Sequence, residues 1–264
     1  MADFQCVNVE RQGAVAIVSF NRPEKLNTFN KAMRLEFVEA ARAVNLDDDI
    51  RVVILTGEGR AFGAGADLND GGDSAMASGA TTEDMLNYEF KPGVMAIAES
   101  PKPWIAAING PCAGVSYSYA MACDLVLMAE NAFLYMPFAT IGLVPDGGAT
   151  WLLNKLVGNR RAYELMALGE KLQAEKAVEW GLANRVLPLE GFRDGCLAFA
   201  QDLAGRSPLA LQHTKTALRF AESNGLSETI TEEARLQRLC IDSEDAIGAI
   251  HAFFAKEEYV WKGK

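Results

Sequence analysis

The sequence predicts an α/β fold, and two patterns support that class. In the first half of the 264-residue chain, short apolar runs alternate with stretches of helical periodicity. From Gly158 onward the pattern is mostly helical, with apolar residues three and four positions apart. Half of the residues are apolar, which is ample for a sizeable core. No linker or exact repeat divides the chain, so we place one soft boundary near Arg206, between a core at 1–205 and a helical region at 206–264.

Each element follows from a local pattern. The apolar runs AVAIVSF, VVILTG, WIAAI and DLVLMA predict strands at 14–20, 52–57, 104–108 and 124–129. Apolar periodicity predicts helices from Asn30 to about Val44 and over 86–98. Ser207 before Pro208 predicts an N-cap with proline at the first helical position. The small, aperiodic residues of 70–82 predict a mobile loop.

Composition excludes several classes of function. A formal charge of −10 argues against nucleic acid as a partner, because binding to phosphates needs clustered Lys and Arg. The apolar runs are far shorter than the ~20 residues that cross a bilayer, and no basic segment followed by an apolar one marks a secretory signal. Five scattered cysteines without a CxxC pair fit free thiols in a reducing cytosol. We therefore expect a cytoplasmic protein without membrane contact.

Familiar catalytic motifs are also missing from the sequence. GEGRAFG has Phe62 where a dinucleotide fingerprint needs its third glycine, and no P-loop follows. The histidines, His213 and His251, both fall in the helical tail, which argues against a Ser-His-Asp triad or a histidine metal site. Ser116 and Ser118 lack the glycine of a nucleophile elbow. We expect neither a metal nor a redox cofactor.

Two glycine-containing turns, AFGAGADL and PCAGVSYS, each follow a strand and lead into a helix. Small residues in such turns let a ligand approach main-chain N–H groups, and helix N-termini favour negative charge. Two converging donors would form an oxyanion hole, which stabilises a negatively charged oxygen. The alternative for either turn is simple packing.

The stretch VPDGGATW places Asp146 between a proline and two glycines, after an apolar run. One interpretation makes Asp146 the N-cap of the next helix, whose dipole would lower the pKa of the carboxyl group. The other makes it a reactive group in apolar surroundings, where desolvation would raise that pKa. The residues alone leave both open.

Four segments stand in a characteristic order and spacing: NRPEKLN, AFGAGADL, WIAAINGPCAGVSYSYAMACDLVLMAE and GLVPDGGATWLL. From about residue 5 to its end, the chain thereby resembles the crotonase (enoyl-CoA hydratase/isomerase) superfamily. The resemblance implies a spiral of ββα units, a C-terminal helical trimerisation region, and a homotrimer or dimer of trimers. It implies coenzyme A thioesters as substrates, with coenzyme A present only as part of the substrate. It also implies that N–H groups of Ala66 and of the Gly114–Val115 turn hold the thioester oxygen.

The chain departs from the hydratases of this superfamily at two positions. Where hydratases carry their two catalytic glutamates, counted from the shared Cys123–Asp124 pair, this chain has Ser118 and Phe138. Phenylalanine cannot exchange a proton, so efficient hydration is put in doubt. Asp146, in contrast, stands where the dienoyl-CoA isomerases and the ring-epoxide isomerases of phenylacetyl-CoA catabolism place an aspartate, and the segment is more similar to the latter. The resemblance thus implies an isomerase with an enolate intermediate and a single aspartate shuttle.

The resemblance also suggests binding residues. Stretches that border the coenzyme in the family match Lys25, Leu26, Ala64, Asp67 and Leu68. Residues that could line an acyl pocket for a bulky or aromatic group, or could belong to the core, are Ser118, Phe138, Tyr117 and Trp151. Three rival functions stay open: a dehalogenase-like enzyme with a covalent aspartate, an inactive acyl-CoA-binding homologue, and a hydratase that uses another group.

Overall fold

The computed structural model describes residues 4–69 and 78–264. Its strands are β1 (Val7–Gln12), β2 (Val15–Phe20), β3 (Val52–Gly57), β4 (Trp104–Ile108), β5 (Pro111–Ala113), β6 (Leu125–Ala129), β7 (Phe133–Tyr135), β8 (Leu172–Gln173) and β9 (Arg185–Leu187). Its α-helices are α1 (Lys31–Leu46), α2 (Gly79–Met85), α3 (Lys91–Ala98), α4 (Val115–Met121), α5 (Ala149–Leu168), α6 (Ala174–Glu179), α7 (Phe192–Ala204), α8 (Pro208–Ala221), α9 (Leu226–Ile241) and α10 (Glu244–Ala255).

The strands of the described residues form two sheets. Six strands make one sheet in the order β1-β2-β3-β4-β6-β9, and three make a second in the order β5-β7-β8. Every pair in the larger sheet is parallel except the β1-β2 hairpin. The chain repeats a strand, strand, helix unit, as in β1-β2-α1, β4-β5-α4 and β6-β7-α5. Because β3 and β4 are parallel neighbours, the turns that follow them emerge at the same edge of the sheet.

The predicted strands are confirmed to within a residue at each end. Strands β2, β3 and β4 are buried at every position, so their sequences are continuous apolar runs rather than alternating ones. The short strands β8 and β9 lie in the part predicted to be mostly helical. They escape prediction because two or three residues are too few to show a period.

Helix α1 starts where the sequence predicts. The Asn30 side chain accepts a hydrogen bond from the Met33 N–H at 2.9 Å and caps the helix. One face of the helix is apolar and covers the sheet, and its buried apolar residues are Met33, Phe37, Ala40, Ala41 and Val44.

The predicted mobile loop at 70–82 needs correction. Residues 70–77 lie outside the described residues, whereas Gly79–Met85 form helix α2. The side chain of Ser78 caps this helix by accepting a hydrogen bond from the Thr81 N–H at 3.1 Å, a start signal that the surrounding small residues obscure. A π-helical turn, Leu86–Phe90, joins α2 to α3, so the helix predicted from residue 86 begins earlier.

Helix α8, the first of the three C-terminal helices, packs against the core through a buried lysine. Lys215 on α8 donates hydrogen bonds to the Asp124 carboxylate at 2.8 Å and to the Ile97 carbonyl at 3.1 Å. Ser207 caps α8 as predicted, accepting from the Ala210 N–H at 3.3 Å. The domain boundary near Arg206 stays a prediction. In the described part of the chain, no helix is long and apolar enough to span a bilayer.

Candidate active site

The two glycine turns meet in the structure. A Cβ atom added to Gly114 would lie 3.2 Å from the Gly65 Cα atom, so the two main chains are in direct contact. Gly114 has φ 55° and ψ −135°, a conformation that residues with a Cβ atom avoid. The sequence therefore brings the turns together by omitting side chains where they touch.

The contact leaves two main-chain donors available. Residues on either side of Ala66 bond to Phe29, through the Gly65 carbonyl at 2.8 Å and the Asp67 N–H at 3.0 Å. In such a parallel bridge, the N–H of Ala66 itself points the other way. Val115 is the first residue of α4, where an N–H has no partner within the helix. Among the described residues, neither of these two N–H groups has an acceptor.

Gly114, the third residue predicted for the oxyanion hole, contributes differently. Its N–H donates to the Tyr135 carbonyl at 3.1 Å and is not available to a ligand. Its part is conformational, because the turn that it permits directs the chain into α4 and sets the position of the Val115 N–H.

Asp146 lies against the first turn of α4. The hydroxyl group of Ser118 donates a hydrogen bond to the main-chain carbonyl of Asp146 at 2.9 Å. The next residue, Gly147, packs so closely that an added Cβ would come within 2.9 Å of both Ser118 and Val115. The main chain of Asp146 is thus held next to the turn that carries the Val115 donor, and both residues line the same cavity.

The N-cap interpretation of Asp146 is not what the structure shows. Helix α5 has Gly148 as its N-cap, and no side chain caps it. Only the main-chain carbonyl of Asp146 takes part in the helix start, accepting from the Ala149 N–H at 3.1 Å. The side chain of Asp146 therefore does not cap the helix.

Apolar surroundings set the acidity of this carboxyl group. Desolvation raises the pKa of Asp146 from 3.8 to about 6. Its Oδ1 atom is buried and has no hydrogen-bond partner within the described residues. Of the two opposing effects considered from the sequence, desolvation prevails, since the side chain makes no capping contact. A carboxyl group with a pKa near neutrality can both accept and release a proton.

We expect this half-buried carboxyl group to make the fold less stable as the pH rises. Between pH 3.8 and about 6, the folded chain holds a proton on Asp146 that the unfolded chain has lost, so stability falls with rising pH through that window. The variant Asp146→Asn lacks this titration. The melting temperature of the variant minus that of the wild type should be largest above about pH 6. It should shrink as the pH falls and become constant below about pH 4. A difference independent of pH would contradict the raised pKa.

A cavity of about 670 Å³ opens beside these groups. It is bounded by the turn after β3, the start of α4, the segment after β7 and the helix α2 with its π-helical turn. The sequence-predicted site residues that line it are Ala64, Ala66, Asp67, Leu68, Gly114, Val115, Phe138 and Asp146. The cavity thus unites the predicted donors, the carboxyl group and part of the predicted binding surface.

The predicted coenzyme-contacting residues fall into two groups. Ala64, Asp67 and Leu68 line the cavity, whereas Lys25 is exposed and Leu26 lies just outside the cavity lining. The two groups adjoin, because the Leu26 carbonyl accepts from the Ala64 N–H at 3.0 Å. Although desolvation opposes it, hydrogen bonds from Arg22 and from the Asn69 N–H lower the pKa of Asp67.

The predicted acyl pocket needs correction at three positions. Phe138 lines the cavity. Tyr117 and Ser118 do not, because every residue of α4 is buried and only the start of this helix reaches the cavity. Trp151 is 50% exposed on α5, where the Lys155 ammonium lies 5.5 Å from its ring. These three residues are not part of the cavity lining that the structure describes.

Two features of the site escape sequence reasoning. Arg34 and Glu89 form an ion pair at 2.7 Å that links α1 to the π-helical turn in the cavity wall. They are 55 residues apart, and no local pattern marks such a pair. The hydroxyl oxygen of Ser116 accepts from the Gly65 N–H at 3.0 Å and joins the two glycine turns. Within residues 4–69 and 78–264, no group of three or more His, Cys, Asp or Glu side chains could hold a metal ion.

The chain is similar in sequence and in fold to several known proteins. The chain is 37% identical over 264 residues to the 1,2-epoxyphenylacetyl-CoA isomerase of Escherichia coli K12, covering all of both chains. It is 35% identical over 257 residues to the 2,3-dehydroadipyl-CoA hydratase of the same organism, covering 97% of this chain and 98% of that one. Its fold matches the crystal structure of enoyl-CoA hydratase from Bacillus anthracis with a TM-score of 0.93 at 29% identity, covering 98% and 100% of the two chains.

The expected crotonase fold is confirmed by this structural match and by the strand, strand, helix units of the chain. A sequence model of the family described as enoyl-CoA hydratase/isomerase matches residues 10–264. The chain therefore belongs to the enoyl-CoA hydratase/isomerase family.

Proposed function

We propose that the protein is an acyl-CoA isomerase that shifts a double bond, or rearranges a ring, in an unsaturated or aromatic-derived acyl-CoA thioester. One observation carries the proposal: the half-buried carboxyl group of Asp146 lines the same cavity as Ala66 and Val115, whose N–H groups have no acceptor in the described residues. A carboxyl group next to two main-chain donors is suited to moving a proton next to a thioester carbonyl.

In the proposed reaction, the thioester carbonyl oxygen accepts hydrogen bonds from the Ala66 and Val115 N–H groups. The ionised carboxylate of Asp146 removes a proton from the carbon between the carbonyl and the double bond. The electron pair of that C–H bond moves into the allylic system and gives an enolate, whose oxygen the two donors stabilise. Each such donor is worth ~3–4 kcal/mol in known oxyanion holes.

The second step returns the same proton. The Asp146 carboxylic acid delivers it two carbons along, the double bond comes into conjugation with the carbonyl, and the carboxylate is restored. The atoms and the oxidation level of the substrate are conserved, so the reaction consumes neither water nor electrons, and we propose that it uses no metal or redox cofactor. General acid-base catalysis of this kind contributes ~10²- to 10⁴-fold to the rate.

The contacts of neighbouring groups support isomerisation over hydration. Ser118 donates its hydroxyl proton to a main-chain carbonyl, and Phe138 has no proton to exchange. Glu89, a candidate second acid from the region before α3, is paired with Arg34 at 2.7 Å. Of the other acidic side chains that line the cavity, Glu89 and Asp67 are thus held in ion pairs, and Asp84 is exposed on α2.

Binding and assembly complete the proposal. We place the coenzyme along Ala64, Asp67 and Leu68 towards the exposed Lys25 and the neighbouring Leu26.

We propose a homotrimer or dimer of trimers, which would cover apolar side chains exposed on the C-terminal helices. Light scattering, which measures the mass in solution, tests this. The exposed side chains are Leu218, Leu226, Ile230, Ile247, Phe253 and Phe254.

Incubation with a β,γ-unsaturated acyl-CoA should yield the conjugated isomer with unchanged mass. The value of kcat should fall as the pH drops through about 6, because the base must be ionised to accept a proton. The ultraviolet absorbance of the conjugated thioester shows whether the isomer forms, and mass spectrometry of the product shows whether water has been added. A product heavier by one water would indicate a hydratase, and label trapped covalently on Asp146 would indicate a dehalogenase-like enzyme. Binding without turnover of any substrate would indicate an inactive homologue.

A further inference from the structure

Helix α4 carries a buried serine that contacts the main chain of the catalytic turn. Ser118 is completely buried, and its hydroxyl group donates to the Asp146 carbonyl at 2.9 Å. We infer that Ser118 is a positioning residue, which holds the turn so that the Asp146 carboxyl group stays in its apolar place beside the Val115 donor. The inference rests on the proposed function for its catalytic consequence, but not for its structural one.

The turn needs a contact that holds it in place, because its glycines give the backbone a wide choice of conformations. Gly147 and Gly148 follow Asp146 directly, with φ values of 62° and 89°. Glycine has the widest choice of conformations, so the turn would sample many positions without a contact to rigid structure. The helix that follows starts without a side-chain cap. Ser118 supplies a hydrogen bond from a helix whose residues are all buried, and therefore from a fixed point.

The choice of acceptor leaves the carboxyl group able to titrate. Ser118 bonds to the main-chain oxygen, whereas the Oδ1 atom of Asp146 has no partner in the described residues. A hydrogen bond to the carboxylate itself would lower its pKa and weaken it as a base. Charged side chains that line the same cavity are Lys31, Arg34, Asp67, Asp84 and Glu89. Ion pairs join Arg34 to Glu89 and Asp67 to Arg22, and desolvation is the cause of the raised pKa of Asp146.

A second serine on the same helix provides a matched comparison. Ser116 is as deeply buried as Ser118, but its hydroxyl oxygen accepts from the Gly65 N–H at 3.0 Å. It therefore supports the first glycine turn and has no hydrogen bond to the Asp146 turn. Damage to α4 in general would affect both serine variants alike, whereas the positioning role belongs to Ser118 alone.

The test replaces Ser118 by alanine and by cysteine, since a thiol fills the space but donates weakly. We expect kcat for isomerisation to fall about 10-fold with little change in KM, the effect of one lost neutral hydrogen bond. Titration of the Asp146 carboxyl group by carbon-13 NMR should show its pKa falling from about 6 towards 3.8, because the loosened turn becomes hydrated. Ser116→Ala should keep this pKa, and so should Ser19→Ala, which removes a buried hydroxyl without a hydrogen-bond partner in the described residues.

The outcomes separate this inference from the proposed function. Folded Ser118 variants with the wild-type kcat and the wild-type pKa of Asp146 would overturn it, as would an equal fall of that pKa in Ser116→Ala. If Ser118→Ala does not fold, the cysteine variant carries the test. If the wild type isomerises nothing but the pKa falls only in the Ser118 variants, the positioning role stands and the proposed function fails.

Discussion

Replacement of Asp146 by asparagine is expected to lower kcat for isomerisation by ~10²- to 10⁴-fold, the usual contribution of a general acid-base group. Asparagine keeps the shape of the side chain but can neither accept nor return the proton at neutral pH. The thioester should still bind, because the proposed carbonyl donors are main-chain groups of Ala66 and Val115. Steady-state rates together with calorimetric binding of the thioester check both statements.

The matched control for this variant is Asp48→Asn. Asp48 is exposed in the loop between α1 and β3, so the same chemical change there should leave kcat as in the wild type. If Asp146→Asn also keeps the wild-type kcat, the proton carrier is another group. A loss that appears only as a higher KM would instead give Asp146 a binding role.

Gly114→Ala is expected to lower kcat by ~10²- to 10³-fold, the cost of removing one donor from an oxyanion hole. A methyl group at this position would lie 3.2 Å from the Gly65 Cα atom, and the conformation at φ 55° and ψ −135° is open to glycine but not to alanine. The turn must shift, and the Val115 N–H must shift with it. The activity should be lost mainly in kcat, since the donors matter most when the oxygen carries charge.

Gly13→Ala separates the catalytic effect from backbone strain. Gly13 also has a positive φ, 64°, but an added Cβ would meet nothing within 4 Å, and the residue lies in the hairpin turn between β1 and β2. Both variants should melt at lower temperature, and only Gly114→Ala should lose activity. A folded Gly114→Ala with the wild-type kcat would contradict the assignment of the Val115 donor.

Local signals in the sequence were sufficient for most of the fold. The strands at 52–57 and 104–108 are continuous apolar runs, and Asn30 and Ser207 cap helices as expected. The start of α2 was missed because Ser78 is one small polar residue among many. The strands β8 and β9 are too short to show periodicity.

The candidate site could be predicted only in part. Its glycine turns are visible in the sequence, but their contact depends on a parallel bridge between Gly63 and Cys112, 49 residues apart, which no local pattern marks. Whether Asp146 caps a helix could not be decided beforehand, because dipole and desolvation shift the pKa in opposite directions. The residue type of Trp151 suggests an acyl pocket or the core, whereas its position on α5 leaves it half exposed.

The main-chain nature of the two donors determines how the site would respond to random mutation. A substitution at the half-buried Ala66 changes the side chain and leaves the N–H group in place, so this position should tolerate variety. Val115 is buried in the core, so packing limits it to apolar side chains of similar size. The three nearby glycines should not tolerate substitution, because Gly65, Gly114 and Gly147 all have positive φ and pack against the neighbouring turn. A saturation screen of this protein would therefore find intolerant glycines beside the proposed donors, and a map of such positions would outline the proposed oxyanion hole without including Ala66, which supplies one of its N–H groups.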